Sequence, residues 1–102
     1  MKLQADQSAG KGEIPRETAL DQNYPNPFNP ETNFAFRISD GGLVKLVVFD
    51  VLGREVATIV NERLEPGSYS YRWDASKSPS GVYYFRLTAG AFSGVKKMTL
   101  LR

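Results

Sequence analysis

The chain contains neither cysteine nor histidine among its 102 residues. Without cysteine it forms no disulfide and offers no thiolate nucleophile. Without histidine it lacks the most common general base, and without both residues it lacks the usual ligands of a zinc site. We therefore expect a protein that is not an enzyme and that needs no cofactor.

The chain also lacks a dominant sign of charge and long apolar runs. Its 13 basic and 11 acidic residues leave a net charge of +2. This balance does not indicate a nucleic-acid partner, because such binding needs clustered basic charge. No apolar run approaches the ~20 residues of a membrane-spanning helix, and residues 1–6 lack the apolar core of a signal peptide. The length and the 41% of hydrophobic residues suit one domain with a single modest core.

Short segments rich in β-branched and aromatic residues, separated by glycine and proline, account for most of the chain. The central one is residues 81–89, in which Tyr83, Phe85 and Leu87 alternate with more polar side chains. The same alternation recurs twice and predicts two further strands, with the inward residues Phe34, Phe36, Ile38, Tyr69, Tyr71 and Trp73. About seven such strands, with turn signals roughly every 8–12 residues, predict an all-β, immunoglobulin-like β-sandwich of antiparallel strands.

Other segments are less regular. Residues 43–49 are apolar on both faces and predict an interior strand, and residues 92–101 predict the last strand. Residues 54–63 fit either a strand or a helix. Their valine and threonine content favours a strand at residues 54–60, followed by a loop at residues 61–67.

The first part of the chain is polar and then rich in proline. Residues 1–19 show no sustained period and predict a flexible linker ahead of a domain at residues 20–102. We name residues 24–30 the proline segment, because its three prolines hold it stiff and extended. Tyr24 and Phe28 are expected to anchor this segment in the core.

Several stretches form a pattern in a fixed order: LDQNYPNPFNP, VFDVLGREV, a glycine ahead of Trp-Asp, SGVYY and the closing KKMTLLR. This pattern resembles the type A C-terminal sorting domains of the type IX secretion system. The resemblance spans residues 20–102 and implies an immunoglobulin-like sandwich, in agreement with the predicted fold. Outside the closing stretch, the residues that carry it, with mainly structural roles, are Tyr24, Pro25, Asn26, Pro27, Phe28, Asn29, Pro30, Gly53, Gly67, Trp73, Asp74, Gly81 and Tyr83.

The resemblance implies a sorting signal in an exported protein. Proteins with such domains use the Sec pathway and then cross the outer membrane of Bacteroidetes-type bacteria. The implied partners are the N-terminal cargo domain of the parent protein, the outer-membrane secretion translocon, and a surface sortase that usually removes the domain. The implied location is the periplasm in transit, and then the cell surface or the medium. A related domain occurs in flagellar hook-capping proteins, but the proline-rich opening and basic closing stretch favour the sorting family.

The closing stretch, named here the C-terminal segment (residues 96–102), is the candidate for recognition by the translocon. A last strand at a sheet edge can pair with a receptor through its backbone. The alternative from the residues alone is a packed strand whose lysines protect the edge, and exposed edges would also permit a strand-paired homodimer. The residues of the segment are Lys96, Lys97, Met98, Thr99, Leu100, Leu101 and Arg102.

Two other kinds of site are weighed against this one. Tyr71, Trp73 and Tyr83 would form a sugar-stacking platform if they were exposed, which would make the chain a structural or carbohydrate-binding accessory module. Alternating aromatic residues on a strand are more often core residues. Asp50 and Asp74 would offer oxygen ligands to calcium, but no dense acidic loop surrounds them, and Asp50 suits a turn.

Overall fold

A computed structural model describes residues 14–102 of the chain. Its strands are β1 (Ala19–Leu20), β2 (Glu31–Ile38), β3 (Gly42–Asp50), β4 (Glu55–Leu64), β5 (Gly67–Asp74), β6 (Gly81–Ala89) and β7 (Phe92–Leu100). They form a three-stranded sheet in the order β1-β2-β5 and a four-stranded sheet in the order β4-β3-β6-β7. Neighbouring strands run antiparallel, so the predicted all-β sandwich is confirmed. No helix in the described part of the chain is long and apolar enough to cross a membrane.

Alternating residues of the long strands build the core between the two sheets. In β6, Tyr83, Phe85 and Leu87 are buried, while Tyr84 and Arg86 face the solvent. β2 and β5 bury every second residue in the same way. β3 lies between β4 and β6 and carries a continuous buried run, which confirms the predicted interior strand.

Aromatic rings fill much of this core. Phe34 packs on Phe85 with 4.9 Å between the ring centroids, and Trp73 meets Tyr83 edge to face at 6.3 Å. Trp73, Tyr83 and Tyr71 are all buried, so the interpretation of these residues as a sugar-stacking platform is wrong. The spacing that places aromatic side chains on one face of their strand points them at the opposite sheet instead of at solvent.

β4 is longer than predicted and replaces most of the loop expected at residues 61–67. It pairs with β3 as far as Leu64, so only residues 65–66 separate it from β5. The register shift between Leu46 and Val47 leaves Ile59 without a direct partner in β3 and allows the consecutive residues Ile59 and Val60 both to be buried. This irregular burial explains the helix-like spacing of the segment. The strand is confirmed, but its predicted end is wrong because pairing with β3 outweighs the polar composition.

The chain joins the sandwich through a short first strand. In β1, Ala19 pairs with Arg37, and the Thr18 hydroxyl lies 3.0 Å from the Ser39 hydroxyl. The greater part of the predicted linker, residues 1–13, lies outside the described residues. The division of the chain at residue 20 therefore stays a prediction.

The proline segment reaches the core through one of its two expected anchors. Phe28 is 2% exposed and packs against Trp73, with ring centroids 6.0 Å apart. Tyr24 is 78% exposed, so the prediction for this residue is wrong. Its backbone bridges to Asn33 of β2, and because successive side chains alternate in an extended chain, the preceding Asn23 is buried in its place.

We predict that Tyr71→Phe stabilises the domain by about 1 kcal/mol. The Tyr71 hydroxyl is buried and, within residues 14–102, has no hydrogen-bond partner, so folding removes its hydration without compensation. Burial also raises the pKa of Tyr71 to about 12. Urea denaturation of the wild-type and variant domains measures the difference.

The matched control for this prediction is Tyr69→Phe. The Tyr69 hydroxyl donates a hydrogen bond of 2.6 Å to the Glu65 carbonyl, so its removal is expected to destabilise the domain by about 1 kcal/mol. Equal losses of stability in the two variants would show that the Tyr71 hydroxyl has a partner after all.

Candidate functional site

The C-terminal segment extends the last strand at the edge of the four-stranded sheet. Met98 and Leu100 are buried in the core, and β7 pairs with β6 along its length. The other side chains of the segment are half-buried or exposed: Lys96, Lys97, Thr99, Leu101 and Arg102. Alternate residues therefore pack the sandwich, while those between them form a surface that a partner can contact.

The proline segment covers the outer edge of β7. The Phe28 N–H donates to the Thr99 carbonyl at 3.0 Å, and the Leu101 N–H donates to the Phe28 carbonyl at 2.9 Å. The Asn26 side-chain oxygen accepts a hydrogen bond from the Thr99 N–H at 3.0 Å. Both outward backbone groups of Thr99 are therefore occupied, so this part of the edge is closed in the folded domain.

The covered part of the edge begins at Lys97. The Gln22 side-chain amide donates to the Lys97 carbonyl at 2.8 Å. Because both backbone groups of alternate residues point to the same side of an antiparallel strand, Ser93 and Val95 also face outward. Among the described residues, no backbone group pairs with this side of Ser93 or Val95. β7 thus has an open edge ahead of Lys97 and a closed edge after it.

A buried polar cluster holds the start of the proline segment. The Asn23 side-chain amide donates to the Thr32 hydroxyl at 2.9 Å and to the Pro25 carbonyl at 3.2 Å. The Thr32 hydroxyl donates to the same carbonyl at 2.9 Å. Asn23 and Thr32 are both buried. Since buried polar groups are costly without partners, this network favours one path of the backbone leading to Phe28.

Motifs that are far apart in the sequence meet at one end of the sandwich. β3 ends and β4 begins at a turn of residues 50–54, named here the Asp50 turn. At the same end β5 finishes at Asp74, β6 begins at Gly81 and β7 finishes at Leu100. The proline segment lies beside Leu100 through the bridge from Phe28.

The C-terminal segment is tied to a neighbouring loop at this end. The Arg102 guanidinium donates to the Ser76 carbonyl in the loop of residues 75–80. The chain joins the sandwich at the opposite end, where Ala19 pairs with β2 close to its last residue. The N-terminal and C-terminal parts of the chain therefore leave the sandwich at opposite ends.

Several residues of the family pattern shape the loops at the motif-bearing end. Gly53 has a φ of +82°, a conformation that residues with a side chain rarely adopt. The Tyr83 hydroxyl donates to the Pro79 carbonyl at 2.5 Å, and the Asp74 carboxylate accepts from the Ser76 N–H at 2.9 Å. These residues order the turns at this end of the sandwich, and the C-terminal segment is bonded to the loop of residues 75–80.

The carboxylate of Asp50 is used to build its turn. One oxygen accepts from the Leu52 N–H at 2.9 Å and from the Arg54 N–H at 3.0 Å, and the other accepts from the Arg54 guanidinium at 2.8 Å. The backbone hydrogen bond from Arg54 is the main cause that holds the pKa of Asp50 below its ordinary value. In the part of the chain that the structure describes, no three acidic side chains cluster as a metal site would require.

Asn26 belongs to the family pattern named above, but the closing of the β7 edge by Asn26 and Gln22 was not predicted. Gln22 bonds to Lys97, which lies 75 positions further along the chain. Asn26 bonds to Thr99, which lies 73 positions further along. No local pattern marks these side chains, because amides beside prolines are typical of any loop. The proximity of the proline segment and the C-terminal segment was likewise not predicted.

The comparison with protein families gives one result. A family model described as the secretion system C-terminal sorting domain matches residues 22–100. The match includes the proline segment, the Asp50 turn and every strand from β2 to β7. The comparisons with curated proteins and with solved structures each returned no match. Because the matched residues make up well over half of the chain, it belongs to the family of type IX secretion system C-terminal sorting domains.

Proposed function

We propose that this domain directs a cargo protein across the outer membrane as a recognition module of the type IX secretion system, and that it is not itself an enzyme. The family supports association with a cargo and with the secretion machinery, and export to the surface or the medium. The C-terminal segment carries the proposal. Met98 and Leu100 fix it in the sandwich, while Lys97, Leu101 and Arg102 face the solvent.

In this proposal the translocon contacts the side chains of the folded segment and does not pair with its whole backbone edge. The proline segment and Gln22 already occupy the outward groups of Thr99 and the Lys97 carbonyl. Ahead of Lys97, the outward backbone groups of Ser93 and Val95 have no backbone partner among the described residues, which supports strand addition there. The positive charges of Lys97 and Arg102 suit an acidic receptor surface, which would act mainly on specificity and on the rate of association.

Removal by the surface sortase is assigned to the predicted linker of residues 1–19, at the residues that precede β1 (Ala19–Leu20). That end of the sandwich lies opposite the C-terminal segment. The separation allows the translocon to hold the domain while a protease acts at the other end. The proposed course is transit through the periplasm, passage of the outer membrane, and release of the cargo at the surface by cleavage.

A strand-paired homodimer has less support. β4 is the outer strand of its sheet, but it carries charged residues and two register shifts in its pairing with β3. Natural proteins use both features to discourage pairing of sheet edges. We therefore propose that the domain acts as a single copy.

The test is secretion of a reporter fused ahead of residues 1–102 in a bacterium with a type IX system. We expect the wild-type fusion to reach the surface or the medium. A triple variant, Lys97→Gln, Leu101→Ser and Arg102→Gln, is expected to stay largely in the periplasm. All three side chains are exposed, so the substitutions leave the core unchanged.

The matched control makes the same kinds of change at the opposite end of the sandwich. It combines Arg63→Gln, Leu43→Ser and Lys45→Gln, all at exposed positions, and is expected to be secreted like the wild type. Retention of the wild-type fusion would contradict the sorting function. Secretion of the Lys97 triple variant at the wild-type level would instead leave the function in place and exclude the C-terminal segment as its recognition surface.

A further inference from the structure

Two large aliphatic side chains are exposed side by side at the tip of the β3–β4 hairpin. Val51 is 64% exposed and Leu52 is 73% exposed. Single exposed aliphatic residues are common on protein surfaces and need no explanation. An adjacent pair on a turn with a fixed backbone is less usual and suggests a contact site.

The hydrogen bonds of the Asp50 turn fix that backbone. The Asp50 carboxylate accepts from the N–H groups of Leu52 and Arg54, and its carbonyl accepts from the Gly53 N–H at 3.0 Å. The Arg54 guanidinium closes the turn by its ion pair with the same carboxylate at 2.8 Å. Because the turn is ordered in advance, a partner that binds it loses less free energy to ordering.

The tip is continuous with the surface assigned to the translocon. A groove of about 360 Å³ lies between the Asp50 turn and the loop that contains Lys77 and Pro79. The C-terminal segment is attached to that loop by the hydrogen bond from Arg102 to the Ser76 carbonyl. Leu101, which is 54% exposed, adds a third aliphatic side chain at this end of the sandwich.

We propose that the Asp50 turn is a second contact for the protein of the secretion machinery that recognises the C-terminal segment, with Val51 and Leu52 entering an apolar pocket of that protein. This inference rests on the proposed sorting function. It assigns a role to two residues that lie away from the C-terminal segment in sequence. It also explains the use of a rigid turn to present apolar side chains to water.

A protein partner fits this surface better than a second copy or a lipid surface. Two side chains and a small groove bury far less than the ~800 Å² per partner of a stable interface, so the turn needs the adjoining C-terminal segment as part of the same contact. Exposed carboxylates of Glu55 and Asp74 lie among the basic side chains of Arg54, Lys77 and Arg102 at this end of the sandwich, so the surface lacks the uninterrupted basic cluster that binds anionic headgroups. A protein pocket can leave these carboxylates in solvent.

The experiment measures secretion of the reporter fusion with Val51→Ser and Leu52→Ser introduced together. We expect the secreted fraction to fall by about tenfold, as for the loss of central apolar contacts at an interface. The conservative pair Val51→Ile and Leu52→Met should restore secretion to near the wild-type level. The matched control is Leu43→Ser, which changes a 52% exposed leucine at the opposite end and should have no effect.

Further measurements separate the outcomes. Thermal unfolding of the purified variants should match the wild type, and a serine variant that loses secretion only because it unfolds would overturn the proposal. Sedimentation of the domain with phosphatidylglycerol vesicles, if abolished by the serine pair, would point to a membrane partner and overturn it as well. Normal secretion of the serine pair would also overturn it. Retention of the wild-type fusion would instead contradict the sorting function on which the inference rests.

Discussion

Phe28→Ala is expected to destabilise the domain by about 3–5 kcal/mol, the usual cost of removing a buried aromatic ring. Phe28 is the side chain by which the proline segment is packed into the core, against Trp73. Its backbone also bonds to the Thr99 carbonyl and the Leu101 N–H. Loss of the ring is therefore also expected to weaken the attachment of the proline segment to the outer edge of β7. Urea denaturation followed by Trp73 fluorescence measures the stability of the domain.

The control for this variant is Tyr24→Ala, an aromatic residue of the same segment with its side chain in solvent. Surface substitutions of this kind change stability by at most about 0.5 kcal/mol. Amide hydrogen exchange adds a local measurement, since faster exchange at Leu101 in the Phe28 variant would report opening of the cover. Equal effects of the two substitutions on stability would contradict the assignment of Phe28 as the anchor.

Most of the sandwich could be predicted because its strands obey local rules. The period-two burial of residues such as Tyr83, Phe85 and Leu87 requires only that one face of a strand meet the opposite sheet. The predicted end of β4 is wrong for the converse reason. Its last residues are polar, and they belong to a strand only because β3 pairs with them across the sheet. The composition of a short segment does not show whether another strand pairs with it.

The candidate site was predicted in its parts but not in its arrangement. The C-terminal segment and the proline segment were each identified, yet the contact between Phe28 and Thr99 joins residues from near the two ends of the domain's sequence. Tyr24 shows the limit of local reasoning most clearly. Two aromatic residues in a proline-rich stretch are equally good candidates for the core, and only the pairing of Tyr24 with Asn33 decides that its side chain faces outward.

This arrangement changes how the closing motif is understood. The same seven residues hold the sandwich together and offer a surface to a partner, because successive side chains of a strand point to opposite faces. Under the proposed function, a change in the motif is therefore expected to alter recognition, folding or both, depending on which residue is replaced. Experiments on the motif must distinguish these two effects before a loss of secretion can be interpreted.

Removal of residues 96–102 is expected to abolish the folded domain as well as the proposed recognition surface. The deletion takes Met98 and Leu100 out of the core and removes their pairing with β6. Truncating either side chain alone typically costs about 2–5 kcal/mol, so their joint loss approaches the whole stability of about 5–15 kcal/mol of an ordinary domain. The purified truncated chain should show no cooperative unfolding and should have the fluorescence of a solvent-exposed Trp73.

A shorter deletion separates folding from recognition. Removing only Leu101 and Arg102 leaves both core residues in place and breaks the hydrogen bonds to Phe28 and Ser76, at an expected cost of about 1–2 kcal/mol. This chain should still unfold cooperatively. If it is folded and yet retained in the periplasm, it has lost a contact with the translocon, whereas retention of the longer deletion is expected for any unfolded domain. Cooperative unfolding of the longer deletion would show that the last strand is not required for the core.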